Sequence, residues 1–195
     1  MDFIFIIGPS AVGKTTLARE LYKRYKSVII EQNMVPEFEI PDDVEDVGEF
    51  EEQLCWEDTL LQIAFFHERG YRNIVALDFD DLRAREIPVV FEGEDYIILR
   101  LVSGDAEQIR RQMEHRHNNE GGLYAPDYVE RANDVIRKRS LLPNEVVIDV
   151  AGKTKEEVLA EAISVIDGFQ PLREYDYEPG DRHDFLSWVQ SRKLF

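Results

Sequence analysis

The stretch GPSAVGKT at residues 8–15 matches the pattern G-x-x-x-x-G-K-[ST], and it decides how the whole chain is interpreted. Glycines in this pattern let the backbone wrap around a polyphosphate, and the helix that follows points its positive N-terminus at the same charge. The motif needs a buried strand before it and a helix after it. Residues 3–7, FIFII, are continuously apolar, and residues 15–25 carry apolar side chains at helical spacing. The stretch therefore predicts a binding site for a nucleoside triphosphate, with ATP and Mg²⁺ as the expected ligands.

Two side chains of this phosphate loop have specific expected tasks. Lys14 is expected to reach the β- and γ-phosphates, and the Thr15 hydroxyl is expected to bind Mg²⁺. A glycine turn without a ligand is the alternative, but the strand and helix on either side favour the nucleotide site. The residues expected to surround the nucleotide phosphates are Gly8, Ser10, Ala11, Val12, Gly13, Lys14, Thr15 and Thr16.

An acid ends another apolar run of the sequence. Asp78 follows residues 74–77, IVAL. An acid at the tip of a buried strand beside a phosphate loop can hold Mg²⁺, directly or through a water. We therefore predict Asp78 as a metal ligand, with a helix N-cap as the alternative because Asp is good at both tasks.

The other segments alternate between strand and helix patterns. Strands are predicted near residues 28–30, 73–77, 96–102 and 145–148, and helices at 48–68, 105–117, 127–141 and from a capping box at 154–157 to about residue 167. Gly70 is expected to end the first of these helices. Such alternation is typical of an α/β fold with a parallel sheet covered on both faces.

Composition and charge exclude several classes of protein. A chain of 195 residues with 44% hydrophobic side chains suits one folded domain. Its net charge of −17 repels nucleic-acid backbones, so no nucleic-acid partner is expected. The single cysteine, Cys55, rules out an internal disulfide and fits a reducing, cytoplasmic location. No apolar run approaches the ~20 residues that would span a bilayer, so no membrane association is expected.

Taken in order, these motifs resemble the small P-loop kinases, the group of the nucleoside monophosphate kinases, shikimate kinase and their relatives. The resemblance covers residues 1 to about 168 and begins with the phosphate loop. Residues 77–83 are similar to the acidic motif of adenylate kinases, which ends in an acceptor-binding arginine, and residues 97–116 are similar to the fourth strand and lid entrance. Residues 135–139 are similar to the lid-exit helix, and residues 148–157 to the final strand with its adenine loop.

The resemblance implies an ATP-dependent phosphotransferase that moves the γ-phosphate of ATP to a small-molecule acceptor. Catalysis in this group works by positioning and charge neutralisation. Arginines of the lid would close over the transferring phosphoryl group, and those implied here are Arg116 and Arg139. Gly152 and Lys153 would lie beside the adenine.

We predict a three-layer P-loop NTPase fold of the α/β class. Its five-stranded parallel sheet is expected to have the order 2-3-1-4-5. The kinase domain would span residues 1–168, with an acceptor region at about 31–70 and a lid at about 117–127. Residues 169–195 would form a tail packed on this domain, and the protein would be a monomer or a homodimer.

The sequence leaves the acceptor open. Between Lys26 and Arg69 there is no Lys or Arg but thirteen Asp and Glu residues, a field that disfavours an anionic acceptor. The acceptor would then be a neutral or cationic hydroxyl compound, with Glu31, Asp78 and Asp80 as candidates for the base. Glu31 and Asp80 are expected to face the acceptor. Alternatively, the acids form a solvated helix face, and Arg83 binds the phosphate of a nucleoside monophosphate.

Other nucleotide-binding classes fit less well. A GTPase usually carries an Asn-Lys-x-Asp motif, and the sequence has none. A non-catalytic or ATPase-type regulatory protein remains as the alternative function. The arginines expected in the lid favour the kinase.

Overall fold

Strands and helices alternate along the chain, as the sequence patterns predict. The structure is a computed structural model that describes residues 1–32, 34–77, 81–121 and 124–179. In chain order, the elements within these ranges are β1 (Phe3–Ile7), α1 (Lys14–Tyr25), β2 (Val28–Glu31), α2 (Val47–His67), β3 (Asn73–Ala76), α3 (Asp81–Val90), β4 (Tyr96–Val102), α4 (Ala106–Glu120), α5 (Pro126–Lys138), β5 (Glu145–Asp149) and α6 (Lys155–Gly168).

The five strands form one sheet in the order β2-β3-β1-β4-β5, and every pair of neighbours is parallel. This confirms the predicted fold class and strand order. All carboxyl ends of the strands lie at the same edge of the sheet, where ligands bind in open α/β folds. The phosphate loop follows β1, the central strand, so it lies in the middle of that edge.

The core has two layers, one on each face of the sheet. Phe3 and Phe5 of β1 pack in one layer with α2 and α3, and Ile4 and Ile6 pack in the other with α1 and α6. Alternate residues of a strand point to opposite faces, so a strand covered on both sides needs apolar residues throughout. This explains why the central strand reads as the uninterrupted run FIFII.

Several helix ends follow their sequence signals. The Asp46 side chain accepts a hydrogen bond from the Glu49 N–H at 2.9 Å and caps α2. Beyond the end of α2, Gly70 has a φ of 79°, and its N–H donates to the His67 carbonyl. The predicted capping box of α6 is present, with reciprocal hydrogen bonds between Thr154 and Glu157. Local hydrogen bonds therefore fix these boundaries.

The segment after α6 contacts the rest of the chain as far as Tyr177, whose hydroxyl donates to the Arg85 carbonyl at 3.0 Å. Asn144 and Leu172 exchange two hydrogen bonds, of 2.8 and 2.9 Å. The Tyr175 hydroxyl donates to the Pro88 carbonyl at 2.6 Å, which ties the segment to α3. The remaining residues of the predicted tail, 180–195, lie outside the described residues. In the part of the chain that the structure describes, no helix is both long and apolar enough to cross a membrane.

Candidate nucleotide and acceptor site

The backbone of the phosphate loop has the conformation that its glycines permit. Gly8 and Gly13 have φ angles of 145° and 103°, values that residues with a Cβ rarely adopt. A Cβ at Gly8 would lie 2.3 Å from the Leu101 carbonyl oxygen of β4, so only glycine fits there. The loop therefore rests directly on the carboxyl end of β4, and α1 begins immediately after it.

Lys14 is held across this loop. Its side chain is buried, and its ammonium donates hydrogen bonds of 3.0 Å to the carbonyls of Gly8 and Pro9. These contacts keep the positive charge of Lys14 at the phosphate loop, where the sequence pattern predicts that phosphates bind. Phosphate oxygens are stronger acceptors than carbonyls for the same N–H groups, because they carry negative charge.

Thr15 and Glu31 lie side by side although they are far apart in sequence. The Thr15 hydroxyl donates to a carboxylate oxygen of Glu31 at 3.4 Å, and Arg19 Nε lies 3.8 Å from the other oxygen. Glu31 is buried at the end of β2, two strands away from β1. Mg²⁺ prefers oxygen ligands, so the Thr15 hydroxyl suits its expected task, and Glu31 places a carboxylate directly beside it.

Asp78 and Asp80 lie outside the described residues, and their expected roles stay predictions. The strand that precedes them is placed as expected. β3 pairs with β1, and the Leu77 N–H donates to the Ile6 carbonyl at 3.0 Å. The chain is thus described up to the residue before Asp78, on the strand beside the phosphate loop.

Arg83 is completely buried within the domain. Its guanidinium donates to the Gln53 side chain at 2.9 Å and lies 3.3 Å from the buried carboxylate of Glu86. Gln53 belongs to α2, in the predicted acceptor region, so Arg83 joins α3 to that region. Its charge is compensated by a carboxylate of the protein, which makes a second anion beside it less favourable.

The two predicted lid arginines belong to different elements, Arg116 to α4 and Arg139 to the end of α5. Arg116 is exposed on α4. Arg139 follows α5, and its guanidinium binds the Glu145 carboxylate through two hydrogen bonds, of 2.7 and 3.1 Å. Glu145 is at the amino end of β5, whereas the phosphate loop meets the carboxyl end of β4. The catalytic roles of both arginines stay predictions, and Arg139 shares the buried Glu145 carboxylate with Arg100.

Helices α4 and α5 are fastened to each other and to the sheet. Arg110 of α4 binds Asp127 at 2.8 Å and also binds Glu130, and this guanidinium holds the pKa of Glu130 below its usual range. The buried Asn133 side chain exchanges two hydrogen bonds with the backbone of Ser103, after β4. The predicted lid would therefore be carried by two helices that are anchored at the edge of the sheet where the carboxyl ends of the strands lie.

The loop after β5 contains Gly152 and Lys153, which are expected beside the adenine. Gly152 has a φ of 70°, and the Lys153 ammonium binds Glu161 at 2.5 Å. The Gln108 side chain of α4 makes two hydrogen bonds to the backbone of this loop. Nothing in the sequence marks Gln108 for this role, because a glutamine in a polar helix carries no local signal of such contacts. Arg19, beside Glu31, was missed for the same reason.

Comparison with known proteins finds solved structures with the same fold. No family model and no curated protein matches the chain. A sugar kinase from a Janibacter species has 17% sequence identity and a TM-score of 0.61, with 86% of this chain and 95% of that chain covered. Shikimate kinase from Acinetobacter baumannii, solved with shikimate, has 15% identity and a TM-score of 0.58, with 87% and 96% covered. Thymidylate kinase from Candida albicans has 14% identity and a TM-score of 0.53, with 85% and 91% covered.

At such low sequence identities, the structural similarity to these kinases shows only that the fold is shared. The chain has the fold of the small P-loop kinases, which confirms the resemblance found in the sequence. The similar structures include kinases named for a sugar, for shikimate and for thymidylate, so their names leave the acceptor of this chain open.

Proposed function

We propose that the chain is an ATP-dependent kinase that transfers the γ-phosphate of ATP to a hydroxyl group of a small neutral or cationic acceptor. The contact between Thr15 and Glu31 carries this proposal. It puts a carboxylate beside the hydroxyl that the phosphate-loop pattern assigns to Mg²⁺, which is the γ-phosphate end of a bound nucleotide. A buried carboxylate in that place suits a general base for an attacking hydroxyl.

The chain's own residues would divide the work as follows. Lys14 and the N–H groups of the phosphate loop bind the β- and γ-phosphates and neutralise their charge. Glu31 takes the proton of the acceptor hydroxyl as its oxygen attacks the γ-phosphorus, the bond from that phosphorus to the β–γ bridging oxygen breaks, and ADP leaves. Mg²⁺, held by Thr15 and Asp78, would supply positive charge to the phosphate oxygens.

The charges of the acceptor region support a hydroxyl compound over a nucleoside monophosphate. A monophosphate acceptor needs cations, and the sequence has none between Lys26 and Arg69. Arg83, the expected phosphate ligand, is buried and compensated by Glu86. A neutral or cationic acceptor meets no electrostatic penalty from these acids.

A product-based screen tests the proposal. ATP consumption is measured with panels of sugars, amino sugars, nucleosides, nucleoside monophosphates and antibiotics, and the products are identified by mass spectrometry. The expected result is a phosphate ester of a hydroxyl compound, absent with Lys14→Ala. Preferred phosphorylation of a nucleoside monophosphate would overturn the acceptor class. ATP hydrolysis that no acceptor changes, or ATP binding without any turnover, would favour the regulatory alternative.

A further inference from the structure

The loop at residues 150–152 is held in shape by side chains. Gln108 Nε2 donates to the Val150 carbonyl at 3.3 Å, and the Gly152 N–H donates to Gln108 Oε1 at 3.2 Å. The Ala151 N–H donates to Asp149 at 2.9 Å. One glutamine amide therefore fixes the orientation of two peptide groups in a loop that includes a left-handed glycine.

Gln108 and the next residue of α4 contact two different loops. Ile109 is completely buried in a small apolar cluster against which Ala11 of the phosphate loop packs. Gln108 binds the loop at 150–152. The first turns of α4 therefore bridge the phosphate loop and the loop after β5, and they set the separation of the two.

A nucleotide bound at the phosphate loop would extend toward this second loop. The β2 side of the sheet carries Glu31 next to Thr15, so it is the side of the γ-phosphate and the acceptor. β5 lies two strands to the other side of β1, at about 10 Å for ordinary strand spacing. The base then has only the β5 side to occupy, and the loop at 150–152 is at the carboxyl end of that strand.

We propose that Gln108 is a positioning residue for the base of the nucleotide. It gives the loop at 150–152 the shape that meets the base, and it ties that surface to the helix that packs on the phosphate loop. Arg116 lies about 12 Å further along the same helix, from the usual rise per residue, so base contact and lid position share one rigid element. This inference rests on the proposed function, because it takes ATP as the ligand.

A comparison of two ligands, one with a base and one without, tests the inference. Calorimetry measures the Kd of ATP and of inorganic tripolyphosphate for the wild type, Gln108→Leu and Gln108→Glu. Gln108→Glu keeps the acceptor for the Gly152 N–H and loses the donor to Val150. Gln170→Leu changes an exposed glutamine beside Met1 and Asp95, which precede the amino ends of β1 and β4, and it is the matched control. Thermal unfolding confirms that each variant is folded, and either Gln108 variant suffices if the other does not fold.

The expected result is selective. Loss of two hydrogen bonds that shape the base surface should raise the Kd of ATP about tenfold in Gln108→Leu, with a smaller rise in Gln108→Glu. The Kd of tripolyphosphate should stay within about twofold, since two hydrogen bonds to another loop do not act on the phosphates. Equal weakening of both ligands, or no weakening of ATP binding, would overturn the inference.

These binding data, taken with the product screen, separate this inference from the proposed function. A wild type that binds neither ligand would overturn both. A wild type that binds ATP but phosphorylates no acceptor would overturn the kinase, while a selective effect of Gln108→Leu on ATP would still support the positioning role.

Discussion

Arg83 Nη1 lies 3.3 Å from Glu86 Oε1, and neither side chain is exposed to solvent. The two residues are one turn apart on α3, whose Ala84 and Ile87 belong to the apolar core. A buried charge that loses its counter-charge is costly, because the interior solvates it poorly. Arg83 also donates to Gln53 of α2 at 2.9 Å, so the pair links α3 to the predicted acceptor region, and its loss should be measurable.

Glu86→Leu should lower the free energy of unfolding by about 3–5 kcal/mol, because it leaves the buried Arg83 charge without this carboxylate. The double variant Arg83→Met with Glu86→Leu should lose much less than the two single variants together. Urea denaturation measures both. Lys23→Ala, which breaks an exposed ion pair with Glu20, is the control and should cost less than about 1 kcal/mol. A single Glu86→Leu loss as small as that control would contradict a buried ion pair.

The same double variant tests the acceptor class. If the acceptor is a hydroxyl compound that does not use Arg83, the acceptor KM of the folded double variant should stay within about twofold of the wild type, since no contact to the acceptor is removed. Steady-state kinetics with the acceptor found in the screen measure this. A large rise of KM that is confined to monophosphate acceptors would show that Arg83 binds their phosphate.

Lys14→Ala should abolish phosphoryl transfer and leave the chain folded. The ammonium supplies positive charge where negative charge develops, and loss of one such contact commonly lowers kcat about 10²-fold or more. Its hydrogen bonds to Gly8 and Pro9 are worth about 1 kcal/mol each, so the free energy of unfolding should fall by no more than about 2 kcal/mol and the variant should stay folded. Lys23→Ala, on the same helix but exposed, should keep full activity. Near-normal turnover by folded Lys14→Ala would refute the nucleotide site.

Glu31→Gln should remove the general base while keeping the shape of the side chain. We expect kcat to fall by about 10²–10⁴-fold, the usual range for loss of a positioned base. Equilibrium binding of ATP, measured by calorimetry, should change far less. Glu37→Gln removes one of the exposed acids of the same region and should have no comparable effect. Equal activity of the two variants would rule out Glu31 as the base.

Arg116→Ala should separate catalysis from stability. The residue is exposed on α4, so urea denaturation should show little change. If its guanidinium closes over the transferring phosphoryl group, kcat should fall about 10²-fold. Arg111→Ala, from an exposed arginine of the same helix that lies 3.5 Å from Asp105, is the matched control. A kcat of Arg116→Ala equal to that of the control would exclude Arg116 from the reaction.

Sequence patterns predicted the elements that depend on local signals. The strands were found because each contains a short apolar run, and β1, β3 and β4 are buried throughout. Helix α6 was found because its capping box is contiguous in the sequence. α3 was missed because Pro88 lies inside it, and proline argues against a helix interior. The predicted helix at 127–141 ends earlier, at Lys138, because Arg139 is extended and its side chain turns to Glu145.

The conformation of the loop at residues 8–15 was determined by the sequence alone, since eight contiguous residues contain the glycines that it needs. The contacts that its side chains are expected to make with phosphates and Mg²⁺ stay predictions. The tertiary structure decided which distant side chains meet. It placed Glu31 beside Thr15, buried Arg83 against Glu86, drew Arg139 to Glu145 and attached Gln108 to the loop after β5. These contacts depend on strand order and on the packing of helices against the sheet. The sequence does not show whether a charged or amide side chain contacts water or another residue, because those contacts form only when the chain folds.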